Sequence, residues 1–145
     1  MIFRQLFDSV SSTYTYLLAS RRGGEALIID PVLEKVDRYV QLLQDLDLRL
    51  IKAVDTHVHA DHITGLGALR DKTQCITVMG EQSGVDVVSM RVADGDKIDI
   101  EGIDHPRRMF DLTEGLIRRK YSDADITGIL GGNFIRVLGE IWRRG

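Results

Sequence analysis

The chain has 145 residues, of which 43% are hydrophobic and 28% charged. That composition suits one globular domain with a real core and excludes a disordered chain. Its net charge of −3 gives no broad cationic footprint, so no nucleic-acid partner is expected. No apolar run approaches the roughly 18 residues needed to cross a bilayer, and Met1-Ile2-Phe3-Arg4 lacks a signal-peptide pattern. The expectation is a cytoplasmic protein without a membrane partner. The single cysteine, Cys75, has no internal disulfide partner and reads as a small buried strand residue.

In chain order, Ile2 to Phe7 and Thr13 to Leu18 carry the alternating, aromatic and β-branched pattern of strands. Arg21-Arg22-Gly23-Gly24 is a turn signal before Ala26 to Ile29, a third strand, and the three should form an antiparallel meander. After Pro31, the segment Leu33 to Leu46 places Val36, Val40, Leu43 and Leu46 on one helix face. A strand over Leu48 to Asp55 follows, and strand, helix, strand implies a crossover between parallel neighbours. Further on, Ile63 to Leu69 reads as a short helix and Cys75 to Met79 as a strand. Val85 to Met90 is apolar without a clear period. Ala93-Asp94-Gly95-Asp96 reads as a tight turn before a last strand over Lys97 to Ile100.

The chemistry concentrates between Thr56 and Gly65, where His57, His59, Asp61 and His62 fall within six residues directly after an apolar strand. Alternation in an extended segment points His57 and His59 the same way, at the carboxyl end of the strand where ligands collect in open sheets. Imidazoles and a carboxylate at this spacing suit a divalent metal of the zinc, iron or manganese type, so these four are the candidate metal ligands. A site built from one loop alone should bind weakly. Asp30 and Asp55 stand close by position, but each is expected to serve a turn or strand-end hydrogen bond.

The His-x-His-x-Asp-His pattern, with Ile28-Ile29-Asp30-Pro31 and Arg91 to Asp96, resembles the metallo-β-lactamase superfamily, and within it the persulfide dioxygenase branch close to glyoxalase II. The resemblance runs from Met1 to about Ile103. It implies the first half of an αββα fold, a mixed sheet with helices. In that branch it also implies one non-haem Fe(II) held by the first histidine of the motif together with a second histidine and an aspartate from later segments. Only His57 matches that ligand set here.

From about Asp104 the character changes. The first 103 residues carry 16 acidic and 11 basic side chains, the last 42 carry 6 and 8. Asp104-His105-Pro106 suits a helix start, and Met109, Leu112, Leu116 and Ile117 form one stripe ending at Tyr121. Ser122 should cap a short helix to Leu130, closed by Gly131-Gly132. Asn133 should cap a third, whose stripe is Phe134, Val137, Leu138, Ile141 and Trp142. The arginines of this segment read as a solvated helix surface.

Leu112 to Leu116, Tyr121-Ser122-Asp123 and Ile129 to Phe134 resemble the C-terminal helices of the membrane dipeptidase family, zinc enzymes built on a (β/α)₈ barrel. This resemblance covers about Asp104 to Trp142. It implies a three-helix segment and no catalytic residue, so His105 inherits no ligand position.

The expected fold is therefore α/β, a single domain over 1–145 made of a half metallo-β-lactamase fold over 1–103 capped by the dipeptidase-like helices of 104–145. The two resemblances together imply an engineered or recombined chimera without catalytic activity that keeps part of a metal motif. The alternatives are a module that binds zinc or iron weakly, or a residual metal-dependent dioxygenase or hydrolase. An incompletely covered sheet face would favour a homodimer.

Overall fold

The computed structural model describes residues 1–85, 88–101, 113–114, 116–118 and 120–129. The chain divides into two compact units, Met1–His105 and Pro106–Gly145. The boundary falls two residues after the change in charge balance.

The first unit is a six-stranded mixed sheet in sequential order, β1 (Ile2–Asp8), β2 (Thr13–Ala19), β3 (Glu25–Ile29), β4 (Arg49–Val54), β5 (Ile76–Gly80) and β6 (Met90–Val92). β1 to β3 pair antiparallel and β3 to β6 pair parallel. The meander and the crossover expected from the sequence are both present. Gly23 makes the β2–β3 turn at φ 72°, which a residue without a side chain adopts at no steric cost.

Helix α1 (Val36–Asp45) makes the crossover from β3 to β4, entered through a 3₁₀ turn at Leu33–Lys35. Its period places Val36, Tyr39 and Leu43 inward, and they pack with Leu17, Ala19, Ala26, Ile28 and Ala53 of the sheet. Helix α2 (Leu66–Thr73) adds Leu66 and Leu69 to the same core. The core thus lies between one face of the sheet and the two helices. The opposite face carries an aromatic row in which Phe3 stacks on Tyr16 and Phe7 tilts against Tyr14. Phe7 and Tyr14 are about half exposed.

Two expected elements differ. The helix placed at Ile63 to Leu69 begins only at Leu66, because the residues before it are tied elsewhere. Thr64 bridges Val32, and Gly65 N–H donates to the Pro31 carbonyl at 2.6 Å. The strand placed at Lys97 to Ile100 does not form. Backbone groups there meet side chains instead of a ladder, since Asp99 O accepts from Lys52 Nζ and Glu101 N–H donates to the Glu25 carboxylate. The Ala93–Asp96 turn is present, closed by Asp96 N–H on Ala93 O and by Ala93 N–H on the Asp96 carboxylate. Cys75 is buried as expected, one residue before β5, and burial pushes its thiol up.

In the second unit, residues 113–114 and 116–118 are helical, and α3 spans Asp123–Thr127. Ser122 caps α3 in a capping box, accepting from Asp125 N–H while the Asp125 carboxylate accepts from Ser122 N–H. His105, the apolar positions Met109 and Leu112, Gly131-Gly132 and the helix expected from Asn133 to Trp142 lie outside the described residues. Among the described residues no helix is long and apolar enough to cross a membrane.

A buried proton chain ties α1 to the sheet. Val32 N–H donates to Tyr39 OH at 3.3 Å, Tyr39 OH to Thr15 Oγ1 at 2.9 Å, and Thr15 Oγ1 to the Asp30 carbonyl at 2.7 Å. Only this order works, because each hydroxyl has one proton to give. Tyr39→Phe would leave Val32 N–H buried without an acceptor, and urea unfolding should show a loss on the order of 1–3 kcal/mol. A change below about 0.3 kcal/mol would mean that the chain contributes nothing.

Asp8 ends β1 with its carboxylate accepting from Ser11 Oγ at 2.7 Å and Ser11 N–H at 3.0 Å, with Lys35 Nζ at 3.2 Å. Those bonds hold its carboxyl down to about 2, below the usual carboxylate value of about 3.8. A folded value below the unfolded one stabilises the fold above pH 3.8 and is lost as pH falls through 2. Denaturation of the wild type and Asp8→Asn across this range should show a stability difference that is full at neutral pH and vanishes at the acid end. A difference independent of pH would exclude this role.

Candidate metal centre

The histidine loop runs from Thr56 to Gly65, and the short segment Asp30 to Leu33 grips it at both ends. At its start, the Asp30 carboxylate accepts from Thr56 N–H at 2.7 Å and from Thr56 Oγ1. At its end, Leu33 N–H donates to Ile63 O and Gly65 N–H to Pro31 O. The approach is close enough that a Cβ on Gly65 would lie 2.9 Å from Val36 Cγ2, so glycine is required there. In the middle, Thr13 of β2 reaches across to donate to Asp61 Oδ2 at 2.6 Å. Asp30 itself sits at φ 51°, a left-handed conformation held by the proton chain on its carbonyl.

His57 and His59 point to the same side as alternation requires, with ring centroids 4.2 Å apart, and His62 lies 4.2 Å beyond His59. Two sets of donor atoms come within 4.8 Å of one another: Asp30, His57 and His59, and then His59, Asp61 and His62. All four residues expected from the sequence are therefore in the cluster, with His59 shared. Asp30 adds a carboxylate from outside the loop. The expectation that one loop alone supplies the donors is corrected by this. Asp30 also makes the strand-end hydrogen bonds expected of it, accepting from Thr56.

Two threonine hydroxyls determine which imidazole nitrogens are free. Thr56 Oγ1 gives its only proton to Asp30, so at 2.8 Å it must accept one from His57 Nδ1. Thr13 Oγ1 gives its proton to Asp61, so His62 Nδ1, at 3.2 Å from both Thr13 Oγ1 and Asp61 Oδ2, carries the proton between them. Proton counting thus assigns the lone pair to Nε2 in both rings. His59 Nε2 faces Asp30 Oδ1 at 3.1 Å, and its Nδ1 lies 3.7 Å from Asp61 Oδ1.

Electrostatics separates the carboxylates. Hydrogen bonds from Thr13 and then His62 hold Asp61 well below the usual carboxylate range, so it is ionised. Asp55, at the end of β4, is pushed the other way by burial, with the Thr64 hydroxyl and His59 opposing. Its Oδ1 has no hydrogen-bond partner among the described residues, and neither has His62 Nε2.

The donor set fits a divalent transition metal. A metal bonded at about 2.0–2.2 Å to each ligand holds its ligand atoms no more than about 4.4 Å apart, close to the spacing found. Two imidazoles with a carboxylate are also the mixture that such ions favour.

A profile of the membrane dipeptidases (peptidase family M19) matches residues 33–143. The match starts at the 3₁₀ turn between β3 and β4, well before Asp104, from which the dipeptidase resemblance was expected to run. Mitochondrial persulfide dioxygenase ETHE1 of Homo sapiens is 48% identical over 99 residues, 68% of this chain and 39% of that protein. The chain therefore spans well under half the length of that relative. The crystal structure of ETHE1 from Myxococcus xanthus superposes with a TM-score of 0.66 at 52% identity, covering 70% of this chain and 45% of that one. A metallo-β-lactamase from Staphylococcus aureus gives 0.64 at 26% identity, covering 70% and 31%. The mixed sheet is thus part of a metallo-β-lactamase fold, and by the profile match over residues 33–143 the chain belongs to the membrane dipeptidase family.

Proposed function

We propose that the chain is a divalent-metal-binding module whose primary ligands are Asp30, His57 and His59. The observation that carries this is the convergence of two imidazoles and a carboxylate from separate segments. Asp30 joins the loop to β3, so the donors are held by the sheet as well as by the loop, and binding tighter than a single loop gives is expected. Asp61 and His62 flank the set, tied to each other and to Thr13. A bound ion would supply a Lewis-acidic centre with coordination positions left open to a further ligand.

A second reading is favoured by the same donor set together with the 48% identity to persulfide dioxygenase ETHE1. Two histidines and one carboxylate are the ligand set of non-haem Fe(II) oxygenases. On this reading the chain retains oxygen chemistry of the persulfide dioxygenase type. Persulfide-dependent oxygen uptake by the Fe(II)-loaded protein above a metal-free blank would support it, and its absence would remove it.

We also propose that the segments before and after about residue 104 come from different parents. The charge change there and the unit boundary after His105 support this. Limited proteolysis should then cut near residues 103–106 and leave the first unit folded. Loss of all structure on that cut would argue against it.

The metal reading is tested by calorimetric titration of metal-stripped protein with Zn²⁺ and, anaerobically, Fe(II). His59→Ala, which removes the shared ligand, should weaken binding by at least about tenfold, and Asp30→Ala by a comparable factor. Affinity unchanged in both variants would sink the reading.

A further inference from the structure

β1 lies at one end of the strand order and is paired on one side only, with β2. The pairing runs the whole length of the strand without a bulge, and β1 contains neither proline nor lysine. Bulges, proline and lysine are the devices that usually blunt an exposed edge, and here they are missing. Phe3 O accepts from the side chain of Arg4 at 3.0 Å, so it points out of the sheet. Backbone groups alternate along an antiparallel strand, which turns the N–H and C=O of Phe3, Gln5 and Phe7 to the open edge.

The run Phe3-Arg4-Gln5-Leu6-Phe7 is symmetric about Gln5 in its aromatic positions. A second copy laid antiparallel, with Gln5 opposite Gln5, sets each Phe3 opposite the partner's Phe7. All three pairs then exchange N–H and C=O bonds in both directions. The rings agree with this register. On one face of the sheet Phe7, Tyr14, Tyr16 and Phe3 form a row with centroids 4.9, 6.5 and 5.9 Å apart. Both ends of the row lie on β1, and Phe7 is 50% exposed. Joining each Phe3 to the partner's Phe7 closes the two rows into one circuit, and aromatic pairs across strands stabilise such a contact.

We propose that β1 is a homodimer interface, in which two copies pair antiparallel about a two-fold axis at Gln5 and continue the sheet from one into the other. The contact is self-complementary and closed, so association stops at two. The second copy is held by the edge of the sheet and not by its face.

The test uses full-length protein in EDTA, so that no metal bridges two copies. Sedimentation equilibrium should give a dimer for the wild type. Gln5→Pro should weaken association at least about tenfold, because it removes the central N–H and leaves the bonds to β2 in place. Gln5→Cys supplies a second route, independent of any effect of the proline on folding. It places two thiols at a hydrogen-bonded pair whose Cα atoms stand about 5.5 Å apart, within disulfide range. Mild oxidation should then join two copies, while Val10→Cys, at a position 89% exposed outside the strand, should stay unlinked. Cys75 is buried and takes no part. A monomeric wild type, which would leave the edge to a strand of another protein, would overturn the proposal. So would a dimer as tight in Gln5→Pro as in the wild type, or Gln5→Cys linking no better than Val10→Cys.

Discussion

The hydroxyl of Tyr39 is the joint on which the rest of the first unit turns. It takes a proton from Val32 and passes its own to Thr15, which in turn fixes the Asp30 carbonyl. Through this chain α1, β2 and the end of β3 share one buried polar network inside an otherwise apolar core. Such networks favour a single arrangement when every member is satisfied. The arrangement selected is a left-handed Asp30, and that conformation brings its carboxylate to both Thr56 and His59. A packing contact in the core therefore determines where a carboxylate stands in the candidate metal centre.

Threonine does a second job around the loop. Thr56 and Thr13 come from different parts of the chain, yet each gives a proton to a carboxylate and takes one from an imidazole. The outcome is two histidines with the same free nitrogen in different surroundings. His57 presents it among Asp30 and His59, and His62 has it buried with no partner among the described residues. Through His59 both belong to the two donor sets of the one motif.

Much of this architecture was legible in the sequence because its signals are local. Alternation in Ile2 to Phe7 and Thr13 to Leu18, the Gly23-Gly24 turn, and the spacing of Val36, Val40 and Leu43 are each written within a few residues, and strands and a helix stand there. The density of His57, His59, Asp61 and His62 likewise announced a cluster. Asp30 was legible only by its position near the motif, since where its carboxylate stands depends on a positive φ and on a hydroxyl from α1, 9 residues on in the sequence. Thr13, 48 residues from Asp61, was equally hidden. Lys97 to Ile100 misled for the opposite reason. Its alternation is real, but Lys52 and Glu25 side chains engage the backbone at Asp99 and Glu101 that a ladder would have used.

The double grip of residues 30–33 on the loop has a consequence for engineering. Both ends of the stretch from Thr56 to Gly65 are closed by backbone or short side-chain bonds to a neighbouring segment, and the entropy of closing it is largely met outside the stretch itself. The residues between those anchors form an exchangeable cassette. Replacements of the same length that keep Thr56 and Gly65 inherit the entry and exit directions of the loop without further design. The sheet end can thus serve as a socket for loops selected to carry chemistry other than its own.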